Sequence, residues 1–332
     1  MSETRKLQRI GGNTLYVSLP KHWATAMKLK QGDKVLLTPQ LNGSMHIYPE
    51  ITGDKPKEKV LRIGDRDTAQ SLRRAIIASY VDGFDLIKLK AERAFTEEHQ
   101  NVIRETIDDL FALELIEVTG DSITIQCLLK ETLPIEKTVQ RIHNMILSMF
   151  RETVSALEER DINSVKTLIR RKYDIKRLSL VTHRILRSLI LFPTPNEQRK
   201  LSLIDCVDYL QIHHMITEIA DSISKISESV TVLIGQTLPK HIFGPLYEAC
   251  ILTQDLYDQS IQALLSKDIL LANKVLDSKL TLEDLLRLCI EADEKSEISS
   301  LALSQAYLLI DNLKQIQQYS NEIAEIAIDH AL

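Results

Sequence analysis

The chain changes its hydrophobic rhythm twice. Between residues 4 and 49 apolar side chains recur at every second position in short runs. Leu15, Val17 and Leu19 alternate with Tyr16 and Ser18, the period of a half-buried strand. Pro20 ends that run, and Lys21 to Leu29 can form one short helix. "KQGDKVLLTP" predicts a turn and a strand, and "LNGSMHIYP" a hairpin-like turn at Asn42-Gly43 and a last strand. The polar segment "ITGDKPKEK" (51–59) reads as a linker. Beyond it the rhythm is mixed. A strand at Lys59–Ile63 is followed by a helix at Asp67–Val81 closed by Gly83, and "FDLIKLKA" is a strand. A helix then opens at Thr96, with Glu97 and Glu98 at its positive end, and two strands flank Gly120-Asp121. This order predicts a small βαβαββ sheet unit. From Pro134 onward the period is helical: 136–159, 162–191, 200–234, 243–266, 268–292 and 296–330, with Pro193, Pro195, Pro239 and Pro245 between some of these segments.

The six helical segments divide into two threes. "LEERDINSVKTLI" begins at Leu157 and "LLSKDILLANKVL" at Leu264, an offset of 107 at which Asp161 matches Asp268 and Leu178 matches Leu285. The pattern predicts a duplicated three-helix bundle.

Composition sharpens this division. The 332 residues, 44% hydrophobic and 26% charged, suit a globular chain of two or three domains. Eight of ten glycines lie at or before Gly120, so turns concentrate in the first third. The net charge of −5 hides an asymmetry: residues 1–34 carry seven Lys or Arg against two Asp or Glu, leaving −10 for the remainder. A small basic module joined to an acidic body is the implication. No apolar run approaches the roughly 20 residues of a membrane span, and Met-Ser-Glu-Thr-Arg-Lys is unlike a signal peptide. Cys127, Cys206, Cys250 and Cys289 form no CxxC pair, which points to a cytoplasmic location. There is no GxxxxGK, GxGxxG, GxSxG or HExxH motif, so the expectation is a protein that is not an enzyme. Neighbouring His213 and His214 diverge by about 100° around a helix and make a poor joint ligand. Cys206 and Cys250, on apolar helices, read as packed thiols.

Charge clusters are usually solvated surface, but the basic opening segment carries a pattern as well. "RKLQRIGGNTLYVSLPKHWATAMKLKQGDKVLL" holds a basic first strand, a glycine turn, a strand ending in Leu-Pro-Lys, a short helix and a Gly-Asp turn. Over about residues 3–50 it resembles the AbrB/SpoVT swapped-hairpin DNA-binding family. The resemblance implies a barrel shared by two copies and DNA contacts from Arg5, Lys6, Arg9 and Lys21, with Asn13 and His22 beside them. Gly11-Gly12-Asn13 stands where the family often has Lys-Gly-Gln, a departure that touches base readout more than backbone contact.

Over about residues 136–332 the paired helical units resemble the PhoU family of phosphate uptake regulators. Met145 and Met149, "ALEERDINSVKTLI" (156–169) and "LKQIQQYSNEIAEIA" (313–327) carry that likeness. The family often holds metal clusters on acidic pairs four apart, which share a helical face. Here the matching positions are Lys172 and Lys176 with Thr217 and Asp221 opposite, and Lys279 and Glu283 with Lys314 and Gln318 opposite. Lysines repel a cation, so no metal or other cofactor is expected; a one-turn shift of the match would bring Asp174 or Asp277 into play. Lys166, Arg170, Arg177 and Arg184 form one stripe and Lys172, Lys176, His183 and Arg187 an adjoining one, densest at "RRKYDIKR". These read either as a solvated helix face or, at Lys166, Arg170, Arg171, Lys172, Lys176 and Arg177, as a surface for an anion or acidic partner.

The fold expected is multidomain α+β. An AbrB-like barrel occupies 1–50, a small α/β domain 51–133, and an all-α PhoU-like bundle of two three-helix repeats 134–332. The partners implied are double-stranded DNA and a second copy, giving a homodimeric transcription regulator. In the rival reading the bundle is an adaptor for a phosphate transporter or sensor kinase, without membrane insertion, and the barrel only dimerises.

Overall fold

The computed structural model describes residues 3–9, 14–39, 43–49, 56–64, 66–129, 134–191, 201–278, 282–295 and 297–332. The chain divides into two compact units with their border at Pro56 and Lys57.

In the first unit β1 (Gln8–Arg9) pairs antiparallel with β2 (Leu15–Tyr16), α1 (Lys21–Ala26) follows, and β3 (Val35–Pro39) pairs antiparallel with β4 (Met45–Pro49). The expected strand over 15–19 is paired only at Leu15 and Tyr16. Two separate ladders result, with no closed barrel among the described residues of the single chain. Gly32 (φ +95) and Asp33, whose Oδ2 accepts the Lys30 N–H at 2.7 Å, build the Gly-Asp turn. No described residue of this unit is buried; Leu7, Leu15, Leu37 and Met45 are each more than half exposed. Two-stranded ladders are marginal by themselves, and among the described residues no strand of this copy covers those apolar side chains.

The second unit begins with β5 (Glu58–Ile63), α2 (Ala69–Val81), β6 (Leu86–Ala91), α3 (Glu97–Asp109), β7 (Leu113–Val118) and β8 (Ser122–Cys127). They form one sheet of order β5-β6-β8-β7, in which β5 and β6 run parallel and the other neighbours antiparallel. The Thr68 and Thr96 hydroxyls cap α2 and α3 by accepting from Ser71 and His99 N–H groups. Leu72, Ile76, Tyr80, Ile87, Leu89 and Ile125 fill the space between helices and sheet.

The bundle follows: α4 (Ile135–Glu159), α5 (Ile162–Leu191), α6 (Leu203–Leu233), α7 (Lys240–Ser266), α8 (Ile269–Leu276), α9 (Leu282–Glu294) and α10 (Ser300–Ala331). The repeat is visible in backbone detail. Arg160 and Lys267, 107 residues apart, both take the left-handed conformation after a long helix (φ 58 and 55). The next amides, of Asp161 and Asp268, return to Ala156 and Ala263 carbonyls at 3.1 and 3.0 Å, a common helix ending. Two expectations need correction. The segment 268–292 is two helices: α8 ends at Leu276 with Asp277 as its cap, and α9 begins afresh at Leu282. α7 starts at Lys240 after Pro239, so Pro245 lies inside the helix. Its missing N–H leaves that interior position without a donor. Among the described residues no helix is long and apolar enough to cross a membrane.

Candidate nucleic-acid interface

The short ladder and helix of the first unit hold the cations at the surface. Arg5, Lys6, Arg9, Lys21 and His22 are all exposed, and Asn13 lies outside the described residues. Glu3 gathers two of them: Arg5 is ion-paired to it, and His22 Nδ1 stands 3.5 Å from its Oε1. Among the described residues Lys6, Arg9 and Lys21 form no ion pair and project into solvent. Pro20, in extended backbone (φ −60, ψ 127), precedes α1, so Lys21 and His22 open its first turn. Such a surface can neutralise a polyanion without reading bases.

The basic helix α5 is less uniform than its sequence. Its far half is a clamp. Arg184 is 5% exposed; its Nη1 donates to the Tyr80 and Phe84 carbonyls at 2.6 and 2.8 Å, and its Nη2 to Asp85 Oδ1 at 3.0 Å. The guanidinium also lies over the Tyr80 ring, 5.1 Å from its centre. Arg187 pairs with Asp82 at 2.6 Å, and Lys57 Nζ reaches Ser188 Oγ at 3.1 Å. These bonds tie the end of α2 to α5. Gly83 permits the approach: its φ is +86, and a Cβ there would lie 2.9 Å from Ser188 Cβ. The sequence signal for Arg184 was its place between buried Val181 and Ile185 on the apolar face of α5.

The near half of α5 carries the candidate anion surface. The side chains of Lys166 and Arg170 lie outside the described residues. Arg171 bonds Glu152 and the Ser148 hydroxyl, at 2.5 and 3.2 Å. With Lys137, Arg141, Gln140 and Asn144 of α4 it lines an open groove of about 680 Å³. Lys176 and Arg177 are exposed, without an ion pair among the described residues. Behind this face His213 Nε2 lies 2.9 Å from Ser179 Oγ, which is 3.0 Å from Thr217 Oγ1. The His183 ring packs edge-on to His213 at 5.5 Å. Burial, and then the neighbouring imidazoles, push His213 down to about 4. His214 points away to solvent, beside Glu218. All four cysteines are buried thiols, and burial pushes Cys250 up to about 12.

The comparisons with known proteins fit these two units. A family model described as "Antidote-toxin recognition MazE, bacterial antitoxin" matches residues 8–55, and one described as "PhoU domain" matches residues 139–230. The chain fuses an AbrB/MazE-like segment to a PhoU-like bundle. Among solved structures, PhoU from Pseudomonas aeruginosa is 14% identical, covering 58% of this chain and 93% of its own, with a TM-score of 0.48. No curated protein matches the chain.

In the PhoU-like bundle, four of the positions expected from the sequence to stand at a cation site meet as ion pairs, and Lys279 lies outside the described residues. Lys172 Nζ lies 2.9 Å from Asp221 Oδ1 in the first repeat, and Lys314 Nζ lies 3.6 Å from Glu283 Oε1 in the second. The lysine sits on the middle helix in one repeat and on the last helix in the other. Thr217 belongs instead to the Ser179–His213 group, and Gln318 bonds Glu322 along its own helix at 2.9 Å.

Proposed function

We propose that the chain is a DNA-binding transcription regulator of the phosphate uptake type, acting as a homodimer. The observation that carries this reading is the first unit: a segment matched by an antitoxin family, with apolar side chains uncovered in one copy and cations on its surface. A second copy completes the barrel and doubles Arg5, Lys6, Arg9, Asn13, Lys21 and His22 about a twofold axis, which suits a duplex with pseudo-twofold sites. The PhoU-like bundle senses phosphate or another transported ion, and the bound state shifts the spacing of the two basic patches.

The test is a titration of the full chain against duplex DNA at two salt concentrations. Affinity is expected to fall roughly a thousandfold between about 50 and about 200 mM salt, and to be lost in Arg9→Ala with Lys21→Ala. Salt-independent binding, or binding that survives the double substitution, refutes the regulator reading. One observation favours the adaptor reading instead: the groove lined by Lys137 and Arg141 offers two cations to an acidic partner, beside Asp174 and an Arg171 already paired with Glu152. There the same titration shows no DNA affinity, and the bundle binds a phosphate transporter or sensor kinase component.

A further inference from the structure

Asp205 and Asp208 lie three residues apart at the start of α6, and His330 stands in the last turn of α10. Three-residue spacing sets both carboxylates on one helical face, and α10 packs along α6. The three side chains therefore converge. His330 Nε2 is 3.3 Å from Asp208 Oδ2 and 3.8 Å from Asp205 Oδ1, and one ligand atom from each residue lies within 4.8 Å of the others. The imidazole is 7% exposed, yet its Nε2 makes no hydrogen bond. The carboxylate oxygens stand at ion-pair distance, but without the geometry of an N–H···O bond. A buried nitrogen aimed at two carboxylates with no hydrogen bond between them requires an explanation.

We propose that Asp205, Asp208 and His330 bind one divalent transition-metal ion, with a fourth coordination position open. Ligands held about 2.0–2.1 Å from a tetrahedral zinc ion stand roughly 3.3 Å apart, the His330–Asp208 separation, with Asp205 about half an ångström farther from the imidazole. One imidazole with two carboxylates suits zinc, manganese or iron better than calcium or magnesium, which take oxygen ligands. The surroundings fix the set. The Ser202 N–H donates to Asp205 Oδ2 at 2.6 Å, so that oxygen is committed to the helix cap while Oδ1 faces the imidazole. Tyr209 packs edge-on to His330 at 5.4 Å and holds the ring plane. The negative end of the α10 dipole favours the cation and the positive end of α6 opposes it, so the carboxylates and imidazole decide the binding. This site is separate from the Lys172–Asp221 pair: Asp205 lies sixteen residues before Asp221 on the same helix, roughly 24 Å away. A metal here staples the last helix of one repeat to the last helix of the other.

The full chain, stripped with a chelator, is titrated with Zn²⁺ by calorimetry and with Co²⁺ by visible absorption. One ion per chain is expected, with a four- or five-coordinate cobalt spectrum. Asp208→Asn and His330→Gln should each weaken binding at least tenfold while keeping the wild-type circular dichroism; Asp205→Asn serves if either fails to fold. Zn²⁺ should raise the wild-type Tm and leave that of Asp208→Asn unmoved. Absence of saturable uptake, or equal uptake by wild type and variants, overturns the site. Neither result depends on whether the first unit binds DNA.

Discussion

From Lys57 onward the chain buries Tyr80, Phe150 and Tyr257 completely, whereas before Pro56 it buries no described residue. The difference shows where each part must find its stability. The second unit closes its own cores around α2, the sheet and α4 to α10. The first leaves Leu15 57% and Leu37 52% exposed, so under the proposed homodimer its cohesion comes from the second copy. Substitutions in the second unit should appear as changes in unfolding free energy, and those in the first as changes in assembly.

The sharpest break of this contrast is Leu15→Glu with Leu37→Glu. In an isolated copy, changes at exposed positions stay within about 0.5 kcal/mol. If a second copy covers these side chains, the variant becomes monomeric in sedimentation at micromolar concentration and loses DNA binding. A variant that still sediments as a dimer removes the shared barrel from the account.

In the second unit the largest effect is expected at Arg184. Arg184→Met removes the guanidinium donor from Asp85 Oδ1 and from the carbonyls of Tyr80 and Phe84, while Asp85 Oδ2 keeps the Lys57 N–H and the Tyr80 carbonyl keeps the Gly83 N–H. Asp85 is 34% exposed, so the loss comes from the charge-assisted hydrogen bonds, about 1.5–3 kcal/mol for a single one and together roughly 3–5 kcal/mol, a fall in Tm of roughly 6–20 °C. Calorimetry should show the loss, with the sheet unit separating from the helical bundle. An unchanged single transition would mean that the clamp is not needed to join them.

Acid should act next, through His213. Its proton affinity is depressed in the folded chain to about 4, from the ordinary 6.5, so the unfolded chain binds the proton first. The stabilisation is complete above pH 6.5 and is lost as the pH falls towards 4, on the order of 3 kcal/mol in all. His183 is shifted downward too, by burial and by Arg187. The Tm of His213→Asn should fall less steeply over this window than that of wild type; parallel profiles would assign the acid sensitivity to carboxylates. Smaller again is Gly83→Ala, which combines a positive φ with a Cβ contact of 2.9 Å. The expected cost is about 1–3 kcal/mol. Adding Ser188→Gly should restore the steric part and leave the backbone part, which chemical denaturation of both variants would resolve.

These residues also mark how far the sequence could be read. The order of elements was legible because local signals agree with the fold: Thr96 before Glu97, Gly83 after Val81, and the matched Asp161 and Asp268. The break between α8 and α9 was not read, because the apolar periodicity continues across it. Partner choice was not legible. Arg177 and Arg184 are one heptad apart on the same stripe, yet one is exposed and the other buried against α2. That depends on contacts about 100 residues away in sequence. His330 and Asp208 are 122 residues apart, and no spacing rule joins them.

The smallest effects fall on the lysine–carboxylate pairs, and there a small result is the informative one. Lys172 and Asp221 are each 40% exposed, and Glu283 is 71% exposed. Solvent screens pairs of this kind, so Lys172→Ala or Lys314→Ala should cost under about 1 kcal/mol by chemical denaturation. A loss of several kcal/mol would show that these ammonium groups hold the helices of each repeat together as a bound cation could. Near-neutrality would show that the repeats are held by the apolar contacts of α5, α6 and α10, and that the two positions are free to change their charge without loss of the bundle. The second outcome is expected, because fully buried Ile219, Ile223, Leu313 and Ile316 lie on the helices that bear Asp221 and Lys314, and burying one such side chain stabilises by about 1.5–3 kcal/mol, more than a screened ion pair supplies.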